Sequence, residues 1–408
     1  MNEQHSTATG PLAGRRVVEL THMVMGPTCG MVLGDLGADV IKVEPLGGDK
    51  TRNLKGLGAG FFRTFNRNKR SIALDLETEA GMEALHRLLA TADVFCENFR
   101  PGRMEEYGLD YKTLAARYPR LVHVSHKGFL PGPYEHRKAL DEVVQMAAGI
   151  AYMTGPPGRP LRMGASVNDI MGGLFGALGV VSALYERERT GKGTEVQSGL
   201  FENCAFLAAQ HMQSFARTGV EPQPLPVRHH AWAVYDVFEA RGGEQIFLAV
   251  VSDGQWRDFC RIVDRPDWAA DARLASNNER VAAREWFIPQ LRALVAQLDA
   301  AELSRACDAG GIPYAPIARP QDLFDDPHLK ASGGLGELTT ETGETTRLPL
   351  LPFSLGGRRL VARHALPRVG EHTAGILADL GYSDEQLQAL ARAAVIRPDG
   401  ATAGEVAA

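Results

Sequence analysis

Short apolar segments alternate with amphipathic helical ones through the first third of the chain, and this alternation limits the fold more than any other feature. Arg16–Leu20, Asp39–Glu44, Ser71–Leu76, Ala92–Glu97 and Leu121–Ser125 read as strands, with helices at Pro27–Leu36, 79–90 and 103–117 between them. Strand–helix–strand repeats of this kind build a parallel sheet covered by helices, so the fold class is α/β. A proline-rich break at Pro222–Val227 ends that texture. Beyond it, Val234–Glu239 and Gln245–Val251 flank Gly242-Gly243 as a hairpin, followed by a long helix at 286–306 and a strand at Ile312–Ile317. An irregular stretch, Arg319–Gly336, leads to a last amphipathic helix at 384–394. The expected organisation is a large Rossmann-like domain over 1–220, a smaller α+β domain with its linkers over 221–330, and a segment at 331–408 that returns to the large domain.

Composition narrows the partners. With 408 residues, the chain buries a core without needing staples. Its 44 Lys and Arg against 49 Asp and Glu leave a net charge of -5, which argues against nucleic acid as the main partner. The five cysteines, at 29, 96, 204, 260 and 307, include no C-x-x-C pair, so neither a zinc site nor a disulfide framework is legible. The N-terminus lacks a signal pattern, and the longest uncharged run, Ile170–Tyr185, is 16 residues, short of the roughly 18 of a membrane span. A cytoplasmic protein that avoids membranes is the expectation.

The glycines after the first strand fall at 26, 30 and 34, which is not the G-x-G-x-x-G of a dinucleotide site. Small residues four apart instead suit a helix packed tightly on its sheet. The basic turn Phe65–Arg70 reads as a solvated loop or as a phosphate contact. The run Glu97–Arg103 follows a strand directly, where open α/β sheets bind ligands. There Asn98, Arg100 and Arg103 offer donors and Phe99 a ring, although a plain Pro-Gly turn explains the run equally well. Gly164–Gly193 is the most informative stretch. An apolar helix starting at or just after Asp169 carries Gly172, Gly176, Gly179 and Ala183 on one stripe, which admits a second backbone. Asp169, at the positive end of that helix dipole, is either an N-cap or an ionised carboxylate nucleophile. His126, His136, His229 and His230 have no partner at metal-ligand spacing.

Taken together and in order, several segments resemble the family III CoA-transferases, the CaiB/BaiF group that includes formyl-CoA:oxalate and carnitine CoA-transferases. They are Pro11–Gly14, Gly37–Glu44, Asn68–Ile72, Glu97–Gly102, Thr190–Gly193 and Gly370–Thr373. The resemblance implies that Asp169 is the nucleophile and that Val24, Met25, Leu74, Asn98, Phe99, Arg100 and Lys138 contact CoA. Arg103 joins them on physical grounds, and Asp141 matches an acidic position near the reacting centre. It further implies an interlocked homodimer, for which the glycine-lined helix and the two linkers would need a partner surface. The substrates would be an acyl-CoA and a small carboxylic acid, with no permanently bound cofactor and no metal.

Departures from the oxalate-using relatives bear on the acid. Val24, Leu54 and Leu140 stand where those relatives carry polar or aromatic groups, and His229-His230-Ala231-Trp232 stands near where their glycine-rich flap would be. An acceptor larger or more apolar than oxalate is expected, with a dicarboxylate reaching His229, His230 or Arg137 still open. Gly172 and Gly173, taken as a turn, would leave room and donors for an oxyanion. A racemase or intramolecular CoA isomerase on the same scaffold is the first alternative, disfavoured because Leu140 occupies the racemase histidine's position. A non-catalytic CoA-binding protein is the second.

Overall fold

The computed structural model describes residues 10–227 and 231–397. The chain forms two compact units, one from the residues up to Pro226 together with those from Pro327 onward, the other from Val227–Asp326.

In the first unit, β1 (Arg16–Leu20), α1 (Met25–Asp35), β2 (Asp39–Glu44), β3 (Lys69–Ala73), α2 (Glu79–Leu89), β4 (Val94–Glu97) and β5 (Val122–Lys127) follow one another. After them come α3 (Asp141–Ala147), α4 (Val167–Thr190), β6 (Glu195–Gly199) and α5 (Leu200–Thr218). The six strands form one sheet in the order β3-β2-β1-β4-β5-β6, every pair parallel. This is the doubly wound order, whose direction reverses between β1 and β4. Period-two alternation sends successive residues to opposite faces. Val17, Val40, Val94 and Val124 pack with Cys29 and Leu33 of α1 and with Ala177 and Val180 of α4. Val18, Ile41, Ile72 and Phe95 pack with Leu85 and Leu88 of α2 and with Ile376 and Leu377 of a C-terminal helix, Thr373–Asp379.

The glycines that fail the dinucleotide pattern make close packing instead. A Cβ at Gly30 would lie 1.6 Å from Glu19 Oε2, and one at Gly34 3.0 Å from the Asn68 carbonyl. The stripe on α4 works the same way: Gly173 meets Thr28 and the Met25 carbonyl, Gly176 meets His126, and Gly179 meets Val196. This face is filled by the chain's own α1, β5 and β6, so it asks for no partner. At 24 residues α4 is long and apolar enough to cross a membrane by length and composition, more than the 16-residue run suggests. Its glycine face belongs to the core beside the sheet, which makes it a core helix.

Two expected helices are each broken. The 103–117 segment divides at Gly108, whose φ of 66° ends the helix Arg103–Tyr107 before Tyr111–Arg117 begins. The 286–306 segment divides into Arg284–Val295 and Ala300–Ala309, because Asp299 caps the second by accepting from Ala301 and Glu302 N–H. The second unit is a three-stranded antiparallel sheet, β7 (Val234–Glu239), β8 (Gln245–Val250) and β9 (Tyr314–Pro316), packed through Trp256, Phe259 and Phe287 of its helices.

Candidate active site

The carboxyl ends of β1 and β4 open the crevice at which such sheets bind ligands. Two buried glutamates brace the loops there. Glu97, the last residue of β4, accepts from the Phe99 N–H, the Ser125 hydroxyl and the Lys127 amine. Glu19 on β1 accepts from Lys69 Nζ at 2.8 Å and from the Thr21 hydroxyl, while Lys42 Nζ donates to the Thr21 carbonyl at 2.7 Å. Asn98 then ties the two loops together: its Oδ1 accepts from His22 N–H at 2.9 Å, and its Nδ2 donates to the His22 carbonyl at 2.8 Å. The Phe99 and His22 rings lie 5.3 Å apart, and burial holds the imidazole below its usual pKa. Met23 is held at φ 63° with its N–H on Thr51 Oγ1, a left-handed conformation that costs a non-glycine residue about 1 kcal/mol or more. Met23 is 39% exposed, and His22 beside it is exposed as well.

Asp169 sits inside the first turn of α4, which begins at Val167, so it is not the N-cap. Ser166 holds that position without a side-chain bond. The cap comes from another helix: Asp141 Oδ2 accepts from the Asn168 N–H at 2.9 Å and the Asp169 N–H at 3.3 Å. Asp141 Oδ1 accepts from Gln145 Nε2, whose Oε1 takes the Met163 N–H at 2.9 Å. Among the described residues the Asp169 carboxylate accepts no hydrogen bond. Expected to stay ionised at the helix dipole, it is instead pushed up to about 7, first by burial and then by the Asp141 charge, with His126 pulling the other way. Desolvation outweighs the dipole here because the group is half-buried and its nearest charge is a carboxylate.

The other expected residues are spread over several places. Asp141 contacts the Asp169 backbone directly. Met25 packs against Gly172, and Asn98 lies against Gly26, which links the β1–β4 crevice to the Asp169 helix. Phe99, Arg100 and Arg103 follow β4 at the crevice, whereas Lys138 lies between β5 and α3. Arg103 is tied to Glu77 and Glu106 over the Tyr107 ring, whereas Arg100 and Lys138 are exposed. Val24 and Leu74 put their side chains into the core, and Leu54 packs on Gly58. Leu140, at the start of α3, is 67% exposed. Gly172 and Gly173 lie inside α4 rather than at a turn, their missing side chains replaced by Met25 and Thr28. Helix-interior N–H groups bond the carbonyl four residues back, so these two are not free for an oxyanion. His229 and His230 lie outside the described residues.

Expected to lack metal-spaced partners, His126 gains them from the fold. Cys29 of α1, Cys96 of β4 and His126 of β5 bring their ligand atoms within 4.8 Å of one another. All three are buried, and His126 Nδ1 has no hydrogen-bond partner among the described residues. A metal-bound histidine donates its second N–H to a nearby acceptor, and that support is missing among the described residues. The trio reads as packed core.

The chain matches CoA-transferase family III over residues 12–373. It is 35% identical to the succinate–glutarate CoA-transferase of Agrobacterium fabrum over 384 residues, which span 91% of this chain and 96% of the relative. It is 33% identical to the succinyl-CoA:mesaconate CoA-transferase of Haloarcula hispanica, over 91% of this chain and 97% of that one. Among solved structures, a CaiB/BaiF family protein from Brucella suis superposes with a TM-score of 0.82 at 35% identity, covering 91% of this chain and 99% of the other. A doubly wound crevice with these likenesses defines a transferase. The chain belongs to CoA-transferase family III, and its substrate is a CoA thioester.

Proposed function

We propose that the protein moves CoA from an acyl-CoA to a dicarboxylic acid by covalent catalysis on Asp169. The ionised Asp169 carboxylate attacks the thioester carbonyl, and the C–S bond breaks to give an aspartyl–acyl anhydride and CoA thiolate. The thiolate attacks the aspartyl carbonyl, which forms an aspartyl–CoA thioester and releases the donor acid. The acceptor carboxylate attacks that thioester, releasing CoA thiolate and forming a second anhydride. The thiolate then takes the acceptor acyl group, and Asp169 is regenerated. Every step exchanges one acyl bond for another of similar energy, so the sequence needs no ATP. One observation carries the reading: a carboxylate that accepts no hydrogen bond among the described residues and has a pKa of about 7, which makes it more basic than an ordinary aspartate. The relatives named for succinate, glutarate and mesaconate support a dicarboxylate acceptor. Hydroxylamine added after an acyl-CoA should cleave an Asp169 adduct to a hydroxamate seen by peptide mass spectrometry. Turnover retained in Asp169→Ala would refute the assignment.

The same reading includes a homodimer. Leu174, Leu178, Val181 and Tyr185 line the outer face of α4, opposite the glycines, and are exposed. Phe206, Met212 and Phe215 continue the face along α5, joined to it by the Phe175–Phe206 ring pair at 5.5 Å. A contiguous apolar face over two helices marks a protein contact. A second copy is its occupant, and light scattering should give twice the 44.2 kDa chain mass.

A further inference from the structure

We propose that Arg162 selects dicarboxylates, by binding the carboxylate of the acid that does not react. The inference rests on transfer at Asp169 as proposed above and names the side chain that recognises the acid.

Arg162 lies in the segment that feeds directly into α4. Its backbone neighbour Met163 is pinned to α3 through Gln145 Oε1, so the arginine is presented from a fixed point. Its guanidinium faces two acids of α3: Nη1 is 3.7 Å from Asp141 Oδ1, and Nε is 3.1 Å from Glu142 Oε1. Neither contact has hydrogen-bond geometry, and among the described residues its N–H groups donate no hydrogen bond. Three other arginines of this unit place donors on acceptors with hydrogen-bond geometry. Arg67 donates through Nε and Nη2 to Asp35, Arg70 through the same pair to Asp39, and Arg187 to Asp93 and the Arg120 carbonyl. Arg162, with its side chain 27% exposed, keeps its fork of donors for something else.

Position says what that is. Asp141 stands between Arg162 and the nucleophile, with Oδ2 on the Asp169 N–H and Oδ1 toward the guanidinium. A short diacid whose one carboxylate reacts at Asp169 therefore has Arg162 one carboxylate away. It also needs a cation there, because Asp141, Glu142 and Asp169 make the surroundings anionic. Two other cations near this region have partners: Lys127 is on Glu97, and Arg137 lies over the Tyr134 ring. A guanidinium binds a carboxylate through two parallel N–H groups, which a monoacid of the same length cannot use. Discrimination of about 30-fold or more is expected from such a site.

The test compares glutarate with valerate, its monocarboxylate counterpart, as acceptors for wild type, Arg162→Met and Arg162→Lys. Arg162→Met should raise the KM for glutarate about 30-fold and shift kcat little, with a much smaller effect on valerate. Arg162→Lys, which keeps the charge and loses the fork, should fall between. An equal loss with both acids, an unchanged glutarate KM, or a wild type that does not favour glutarate would overturn the proposal. An arginine that merely holds Asp141 in place would move the acid limb of the pH profile, and that result also counts against it. Hydroxylamine trapping on the wild type separates the two levels. No Asp169 adduct sinks the transfer reading itself, whereas an adduct together with an unchanged glutarate KM sinks only Arg162.

Discussion

Asp169→Asn should make the ligand-free protein more stable while removing its activity, and the gain should depend on pH in a defined way. Asparagine has the shape of the aspartate without its charge. In the folded wild type the acid titrates at about 7, raised by burial and by Asp141 from an ordinary value of 3.8. A group whose folded pKa is raised holds its proton more tightly in the native state. The wild type therefore loses stability as pH climbs from the unfolded pKa to the folded one, and the variant does not. The difference between the two proteins should be a few tenths of a kcal/mol near pH 4 and grow by about 1.4 kcal/mol per pH unit. Above pH 7 it should level off at about 4 kcal/mol, a ceiling that water entering around a half-buried carboxylate lowers. Urea unfolding of both proteins at pH 5, 6, 7 and 8, at one fixed chain concentration so that assembly does not enter, measures it. A difference that is flat with pH, or an asparagine variant that is less stable at pH 8, would refute the account of a desolvated Asp169 carboxylate.

In the proposed mechanism only ionised Asp169 attacks, so kcat/KM should rise with pH through about 7 and then plateau, about 30-fold lower at pH 5.5 than at the plateau. Asp141→Asn removes the charge that helps raise Asp169 while leaving an acceptor for the α4 N–H groups, so the acid limb should move to lower pH. A pH–rate series checks both. Gly173→Val would place Cβ within 2.6 Å of the Met25 carbonyl and 2.5 Å of Thr28 Cβ, and should cost about 3 kcal/mol in urea unfolding. Asn98→Ala frees the His22 turn from the β4 loop and should raise the KM for the CoA thioester about tenfold with little loss of stability.

What could be read in advance follows from which signals are local. The strands β1, β2 and β4 are apolar runs whose period survives in any context, and the glycine stripe of α4 announces a close neighbour wherever that neighbour comes from. β6 was not legible because EVQSG is a polar, only partly buried strand at the sheet's edge. The split at Asp299 was written as an Asp followed three residues later by Glu302, a capping signal that the surrounding helical residues mask. The site divides in the same way. Asp169 stands out at the head of a glycine-rich helix. That Asp141 caps it, that Arg162 faces Asp141, and that His126 meets two cysteines are contacts between distant segments, and no spacing in one dimension encodes them. The sign of the Asp169 shift was missed for the same reason, since the dipole belongs to its own helix and the desolvation to everyone else's.

The edge strand β3 is finished by the far end of the chain. Asp75 N–H donates to the Val395 carbonyl at 2.8 Å, Leu74 bridges Ile396, and the Thr373 hydroxyl accepts from Ala73. During synthesis at roughly 5–20 residues per second, that cover arrives tens of seconds after the sheet itself. Meanwhile Val227–Asp326, an uninterrupted stretch with its own core, has all the sequence it requires. The nascent chain thus carries a complete small unit behind an unfinished large one, whose Ile72, Leu85 and Leu88 wait for Ile376 and Leu377. Ribosomes that stall or terminate in the last tenth of the message would release a protein that holds Asp169 and Asp141 but has an open hydrophobic flank, a substrate for chaperones and proteases rather than for CoA.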